Sequence, residues 1–188
     1  RKKRGYGAFV GQNQMITFEG EKVRLRAVEP SDAELLYAWE NDATIWPDGG
    51  AVVPYSKYNI EAFLAMSGDL YAARQLRLMV ATRYEGKTVG CIDLVDFEPR
   101  TLKAEVSVLI AKEFRSNGYA TEALKLMTEY AFRHVNLHQL YAYVSVRNPV
   151  SQRLFRTASF VQTAVLNDWH RNDSWCDCIL FQKINNRN

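Results

Sequence analysis

A hexapeptide in the middle of the chain, Arg115-Ser116-Asn117-Gly118-Tyr119-Ala120, has the residue types that bind an anion. It sits where the hydrophobic period changes. Glu105 to Ile110 is a run of β-branched and apolar residues, whereas from Gly118 onward Ala120, Ala123, Leu124, Met127 and Ala131 recur at helical spacing. At such a junction the first N–H groups of the helix lack intrahelical partners and lie at the positive end of the macrodipole, which suits a phosphate. Gly118 has no side chain, Ala120 only a methyl, and Arg115 adds a full charge. Taken alone, the hexapeptide also reads as an ordinary helix start with Asn117 as N-cap and Gly118 as a loop residue. Further on, Asn148-Pro149-Val150-Ser151 makes a second helix start, with Asn148 as N-cap and Pro149 at the first helical position.

The elements that must position these residues follow from the same periodicities. Val23, Leu25 and Ala27 alternate with Arg24, Arg26 and Val28 in a first strand that stops at Glu29-Pro30. Ser31 and Asp32 supply cap chemistry for a helix whose apolar face is Leu35, Leu36 and Trp39. Trp46 to Tyr55, with Pro47, Gly49, Gly50 and Pro54, is a loop, after which Ser56 caps a helix carrying Ile60, Phe63 and Leu64. Leu76 to Thr82 and Thr88 to Phe97 are strands joined at Glu85-Gly86, and a longer turn at Glu98 to Thr101 leads into the strand before the hexapeptide. After the long helix, Leu140 to Val146 alternate as a strand. The short helix through Leu154 and Phe155 ends near Ser159-Phe160, and strands Val161 to Leu166 and Trp175 to Phe181 flank a polar hairpin at Asn167 to Ser174.

The hexapeptide resembles the pyrophosphate-binding loop of the GNAT acetyltransferase superfamily, whose pattern is Arg or Gln, two residues, Gly, one residue, Gly or Ala. Two further stretches are similar. Val23-Arg24-Leu25-Arg26-Ala27, with Pro30, Asp32 and Trp39-Glu40-Asn41-Asp42, resembles the opening of the branch containing spermidine and diamine acetyltransferases and ribosomal-protein alanine N-acetyltransferases. The Asn148, Ser151, Phe155, Phe160 spacing resembles the second GNAT signature. The three arrive in the family's order and cover roughly Val23 to Lys183. Two positions depart from the pattern: Ser159 stands where the family usually has Gly, and Phe155 where many members have the tyrosine assigned as general acid.

The resemblance implies an α+β fold, a mixed and mostly antiparallel seven-stranded sheet flanked by about four helices, with a splayed central strand pair holding acetyl-coenzyme A. Backbone groups of Val108, Leu109 and Ile110 would pair with the pantetheine amides, and Arg115, Ser116, Asn117, Gly118, Tyr119, Ala120 and Thr121 would hold the pyrophosphate. Asn148, Ser151 and Phe155 would complete the cofactor site. Direct transfer of the acetyl group to an amine follows. An alkyl amine with a pKa near 10 costs roughly 4 kcal/mol to deprotonate at pH 7, while a peptide α-amine near 8 costs only about 1. A polyamine acetyltransferase therefore needs a base more than an N-terminal one does. Glu105, near the start of the central strand, is the first candidate base, its alternative being a surface carboxylate paired with Lys103 or Arg100. Asp93 and Asp96 are second candidates and could instead hold a cationic amine. Trp46 and Asp48 are candidates for acceptor contact, or a buried Trp and a turn Asp. Without a tyrosine at 155 the thiolate, with a thiol pKa near 8.5, leaves slowly by itself or takes its proton from Ser151 or water. A GNAT-like module that binds coenzyme A and regulates rather than catalyses is the second reading.

Composition bounds the remaining possibilities. With 188 residues, 47% of them hydrophobic, the chain is expected to form one domain over residues 15–188, with residues 1–14 as an extension before Met15. The net charge of +3 arises from 24 basic against 21 acidic residues, much of the excess sitting in Arg1-Lys2-Lys3-Arg4, which gives little support to a nucleic-acid partner. No apolar run reaches membrane-spanning length. Cys91, Cys176 and Cys178 read as reduced thiols of a cytoplasmic protein, and no His or Cys pair completes a metal site. The extension and the apolar last strand favour a homodimer.

Overall fold

The computed structural model describes residues 18–42, 44, 53–66, 68–171 and 173–186. The 1–14 extension, Trp46 and Asp48 lie outside the described residues. Among the described residues seven strands form one sheet: β1 Val23–Ala27, β2 Leu76–Thr82, β3 Thr88–Glu98, β4 Lys103–Ile110, β5 Gln139–Ser145, β6 Val161–Arg171 and β7 Trp175–Ile184. Their spatial order is β1-β2-β3-β4-β5-β7-β6, with every neighbouring pair antiparallel except β4 and β5. Among the described residues the α-helices are α1 Ala33–Glu40, α2 Lys57–Met66, the single turn α3 Leu70–Ala73, α4 Tyr119–Arg133 and α5 Pro149–Thr157. This is the expected α+β fold.

Alternation along the strands divides the core in two. One face of the sheet, including Ile92, Leu94, Val106, Leu140, Ala142 and Val144, packs on Ala123, Leu124, Met127 and Ala131 of α4 and Phe155 of α5. The opposite face, with Met79 and Cys91, packs on Leu36 and Trp39 of α1 and Ile60 of α2. Burying a large aliphatic or aromatic side chain contributes about 1.5–3 kcal/mol, so the contact stripe of α4, all but closed to solvent, anchors that helix firmly on the sheet.

The differences from the sequence reading have local causes. Asp32 does not cap α1. Its carboxylate pairs with Arg26 at 2.7 and 2.8 Å and accepts the Glu29 N–H, closing the 3-10 turn Pro30–Asp32 that precedes the helix. The short helix α3 has no periodicity to betray it, being one turn capped by the Asp69 carboxylate on the N–H groups of Tyr71 and Ala72. Strand β6 runs further than the apolar pattern, because backbone pairing continues through His170↔Cys176 and Arg171↔Trp175 although alternation alone reads His170 and Arg171 as part of a polar turn, and β7 runs on to Ile184 through its pairing with β5. Ser159 adopts φ 62°, the left-handed conformation for which the family's usual glycine is suited.

Candidate active site

Strands β4 and β5 lie parallel but stay paired for only three residues, Lys103↔Gln139, Ala104↔Leu140 and Glu105↔Tyr141. Beyond that point β4 keeps its pairing with β3 up to Ile110, and β5 keeps its pairing with β7 up to Ser145. The two strands therefore diverge inside the sheet, and among the described residues no strand lies opposite their facing backbone groups. Such groups need partners. Val108, Leu109 and Ile110 lie along this gap, and Gly90 of β3 closes in behind them so tightly that a Cβ there would meet the Leu109 carbonyl at 2.1 Å.

Each diverging strand delivers a helix N-terminus to the mouth of the gap. After β4 the chain makes a 3-10 turn, Lys112–Phe114, and enters α4 through Ser116 at φ 66° and Gly118 at φ 81°. Left-handed residues alternating with ordinary ones turn successive N–H groups inward, the geometry of an anion-binding nest. Gly118, not Asn117, is the N-cap; the Asn117 amide instead donates to the carbonyls of Phe114 and Arg115 at 3.0 and 3.1 Å, folding the loop on itself. Arg115 donates through Nε to the Ile110 carbonyl at 3.0 Å, which ties the loop to the end of β4. Tyr119, Ala120 and Thr121 form the first turn of α4. After β5, Asn148 caps α5 by accepting the Ser151 N–H at 3.0 Å, and Pro149 occupies the first helical position.

Sequence reasoning missed the clamp behind the loop. The Glu122 carboxylate, in the first turn of α4, accepts the N–H groups of Glu21, Lys22 and Val23 at 2.7–2.8 Å. Although its partial burial works the other way, these three donors hold the Glu122 carboxyl below its ordinary range. The same segment brings Lys22 Nζ to 3.0 Å from the Asn117 carbonyl, and to 3.0 Å from where a Cβ on Gly118 would stand. Only an acidic residue one turn into the helix hinted at this contact, since its partners lie about 100 residues earlier.

Glu105 occupies the last paired position before the strands part. Its cross-strand partners are Val95 of β3 and Tyr141 of β5, so it faces the same side of the sheet as α1 and α2. Burial pushes its carboxyl up, and the nearby Asp96 pushes it further, to about 7, against a hydrogen bond from the Tyr143 N–H. Asp96 reaches it through a bulge: the β3–β4 register shifts between Val95 and Glu98, and Asp96, at φ 49°, is exposed beside Glu105. Neither Lys103 nor Arg100 forms an ion pair with Glu105.

Asp93 is not available for an amine. It is buried and bound by Arg77 in a two-bond fork at 2.7 and 2.8 Å, with Glu40 of α1 on the same guanidinium and the Phe63 ring of α2 5.1 Å away. Arg77 thus pins α1 and α2 to the sheet, beside a small pocket lined by Phe63, Arg77, Asp93 and Val95. Phe155 is only 4% exposed, its ring set edge-on to Phe160 at 5.1 Å and stacked on Phe181 at 5.9 Å. It is a core residue with no proton to give. The three thiols are buried and unbridged, and among the described residues no cluster of His, Cys, Asp or Glu has the makings of a metal site.

A parallel pair that opens after three residues, a left-handed nest at its mouth and a carboxylate at its fork together fit a long phosphorylated thioester. Comparison with known proteins agrees. The family model for the acetyltransferase (GNAT) domain matches residues 22–161. The chain belongs to the GNAT acetyltransferase family. A spermidine N(1)-acetyltransferase of Escherichia coli (strain K12) is 27% identical over 164 residues, covering 84% of this chain and 83% of that protein. A putative ribosomal N-acetyltransferase of Bacillus subtilis (strain 168) is 29% identical over 85 residues, 45% of this chain and 46% of that protein. Among solved structures, a spermidine N-acetyltransferase from Vibrio cholerae, in complex with CoA and spermine, superposes with a TM-score of 0.80 at 23% identity, covering 88% of this chain and 97% of that one. A ribosomal-protein-S5-alanine acetyltransferase from Vibrio fischeri gives 0.78 at 20%, covering 91% and 97%. This GNAT protein is accordingly an acetyl-coenzyme A-dependent N-acetyltransferase. Acetyl-coenzyme A supplies an activated acetyl thioester, and the residues lining the gap fit it.

Proposed function

We propose that this enzyme acetylates a primary amine of a small polyamine-like cation, with Glu105 as the general base. The observation that carries the reading is a carboxylate held near a pKa of 7 at the fork of β4 and β5. An ammonium group must lose a proton before it attacks a thioester, and a base whose pKa lies near the working pH accepts that proton best. The backbone of Val108 to Ile110 and the Arg115 to Thr121 nest hold the cofactor, and Asn148 and Ser151 bound it on the α5 side. Asp96 adds negative charge at the point where a cation approaches. The departing thiol needs no acid at Phe155, because a thiolate with a conjugate pKa near 8.5 is a tolerable leaving group. The relatedness to spermidine acetyltransferases supports the acceptor class. Residues 15–188 are taken as one catalytic domain, and the exposed outer strand β6 suits pairing with a second copy in a homodimer. The buried free thiols suit the reducing cytoplasm, and no helix of the described residues is long and apolar enough to cross a membrane.

The test is acetyl transfer measured on linear diamines, triamines and Ala- or Ser-starting peptides. Turnover of the amines is expected, with kcat/KM rising with pH and levelling near 7. Transfer to peptides alone, or cofactor binding without transfer to any amine, sinks the proposal.

A further inference from the structure

The gap has an aromatic flank as well as an acidic one. Tyr141 and Tyr143 of β5 lie on the same face of the sheet as Glu105 of β4, their rings edge to face at 5.6 Å. Trp169 then lies against Tyr143, with ring centroids 5.6 Å apart and planes inclined by 29°. Strand alternation alone does not bring a β6 residue onto a β5 ring, because β7 runs between them. A bulge does. The β6–β7 register shifts between Leu166 and His170, Asp168 turns left-handed at φ 49°, and its N–H donates to the Asp177 carboxylate at 2.9 Å.

The indole carried across in this way is not buried in a core; it stays 51% exposed. On the other flank the β3 bulge presents the exposed Asp96 near Glu105, Tyr141 and Tyr143. Two independent bulges thus aim an aromatic face and a carboxylate at one approach. Both attract cations, the aromatic through its ring quadrupole, with tryptophan the strongest of the aromatics. The charged tail of an acceptor would meet these groups while its reacting amine is at Glu105.

We propose that Trp169, seated on Tyr143, is a specificity-determining residue that receives the second, non-reacting ammonium group of a di- or polyamine acceptor. This rests on the polyamine reading above. The experiment compares wild type, Trp169→Leu and Trp169→Phe on 1,4-diaminobutane, a linear triamine, n-butylamine and an Ala-starting peptide. Trp169→Leu should raise KM for the diamine and triamine about five- to tenfold, and Trp169→Phe should recover part of that loss. The kcat values and the n-butylamine KM should stay within about twofold, since a ring half in solvent is no part of the proton-transfer machinery. An unshifted diamine KM in Trp169→Leu, or an equal shift for n-butylamine, overturns the role of Trp169 and leaves the polyamine reading standing. Wild-type turnover of the peptide alone overturns both.

Discussion

Glu105 shows how one side chain ties rate to stability. Its carboxyl is raised from an ordinary 4.5 to about 7, so the folded protein binds this proton more tightly than the unfolded chain does. Stability from this group is therefore present at low pH and is lost as pH climbs from about 4.5 through 7. Glu105→Gln should lower kcat by roughly 10²–10⁴ at pH 8 while leaving acetyl-coenzyme A affinity unchanged, and should flatten the rise of rate below pH 7. The same variant should melt higher than wild type at pH 8, by up to about 3 kcal/mol at roughly 1.4 kcal/mol per pKa unit, and no higher at pH 4. Calorimetry at the two pH values and a pH–rate profile check the pair. Glu105 was legible as a candidate from its place on the strand, but its Asp96 neighbour depends on a bulge. Asp93 misleads for a similar reason. Counting back from the hairpin pair Ala81↔Thr88 places Arg77 opposite Ile92, and the one-residue shift at Val80/Ala81 places it opposite Asp93 instead. A single extra residue turns an expected amine-binding acid into half of a buried ion pair.

At the level of elements, α4 owes its place to an apolar stripe that periodicity shows plainly, and its chemistry to contacts that periodicity cannot show. Strand and helix boundaries around the cofactor loop were legible because the hydrophobic period changes there. Lys22 and the Glu122 clamp were not, since nothing local records a partner 100 residues away. Gly118→Asp puts a carboxylate into the nest at a left-handed position, where it can pair with Lys22. Acetyl-coenzyme A affinity should fall more than about tenfold, the loss of one hydrogen bond to a charged group being worth about 1.5–3 kcal/mol, with only about 1 kcal/mol off the fold. Titration calorimetry beside thermal melting separates the two. Glu122→Ala leaves three N–H groups without their acceptor and should cost about 1–3 kcal/mol of stability, tempered because two of the three bonds are exposed. Glu122 has the opposite sign to Glu105: its carboxyl is lowered in the fold, so its contribution is present above pH 4.5 and lost as acid protonates it. In Glu122→Ala the stability deficit should therefore shrink toward pH 3 in a denaturant titration.

The molecule as a whole is one sheet with a helix-backed core on each face, and that much follows from the order of strands, turns and helices in the chain. What the order does not give is how far β4 and β5 run together, because parallel register is set by neighbours on the far side of each strand. Acetyl-coenzyme A at a hundredfold excess over its dissociation constant should stabilise the fold by roughly 2.7 kcal/mol, read as a rise in melting temperature that falls to about half or less in Gly118→Asp at the same concentration. The early parting of β4 and β5 has a further consequence for the unliganded protein. A sheet normally keeps its weakest amides at its margins, yet here some of them lie at its centre, so solvent deuterium should enter Val108 and Ile110, whose N–H groups face the gap while their neighbours donate to β3, ahead of the outer pairings of β2 with β3. Cofactor would then act as a temporary eighth strand, and the amides it slows would trace its path residue by residue.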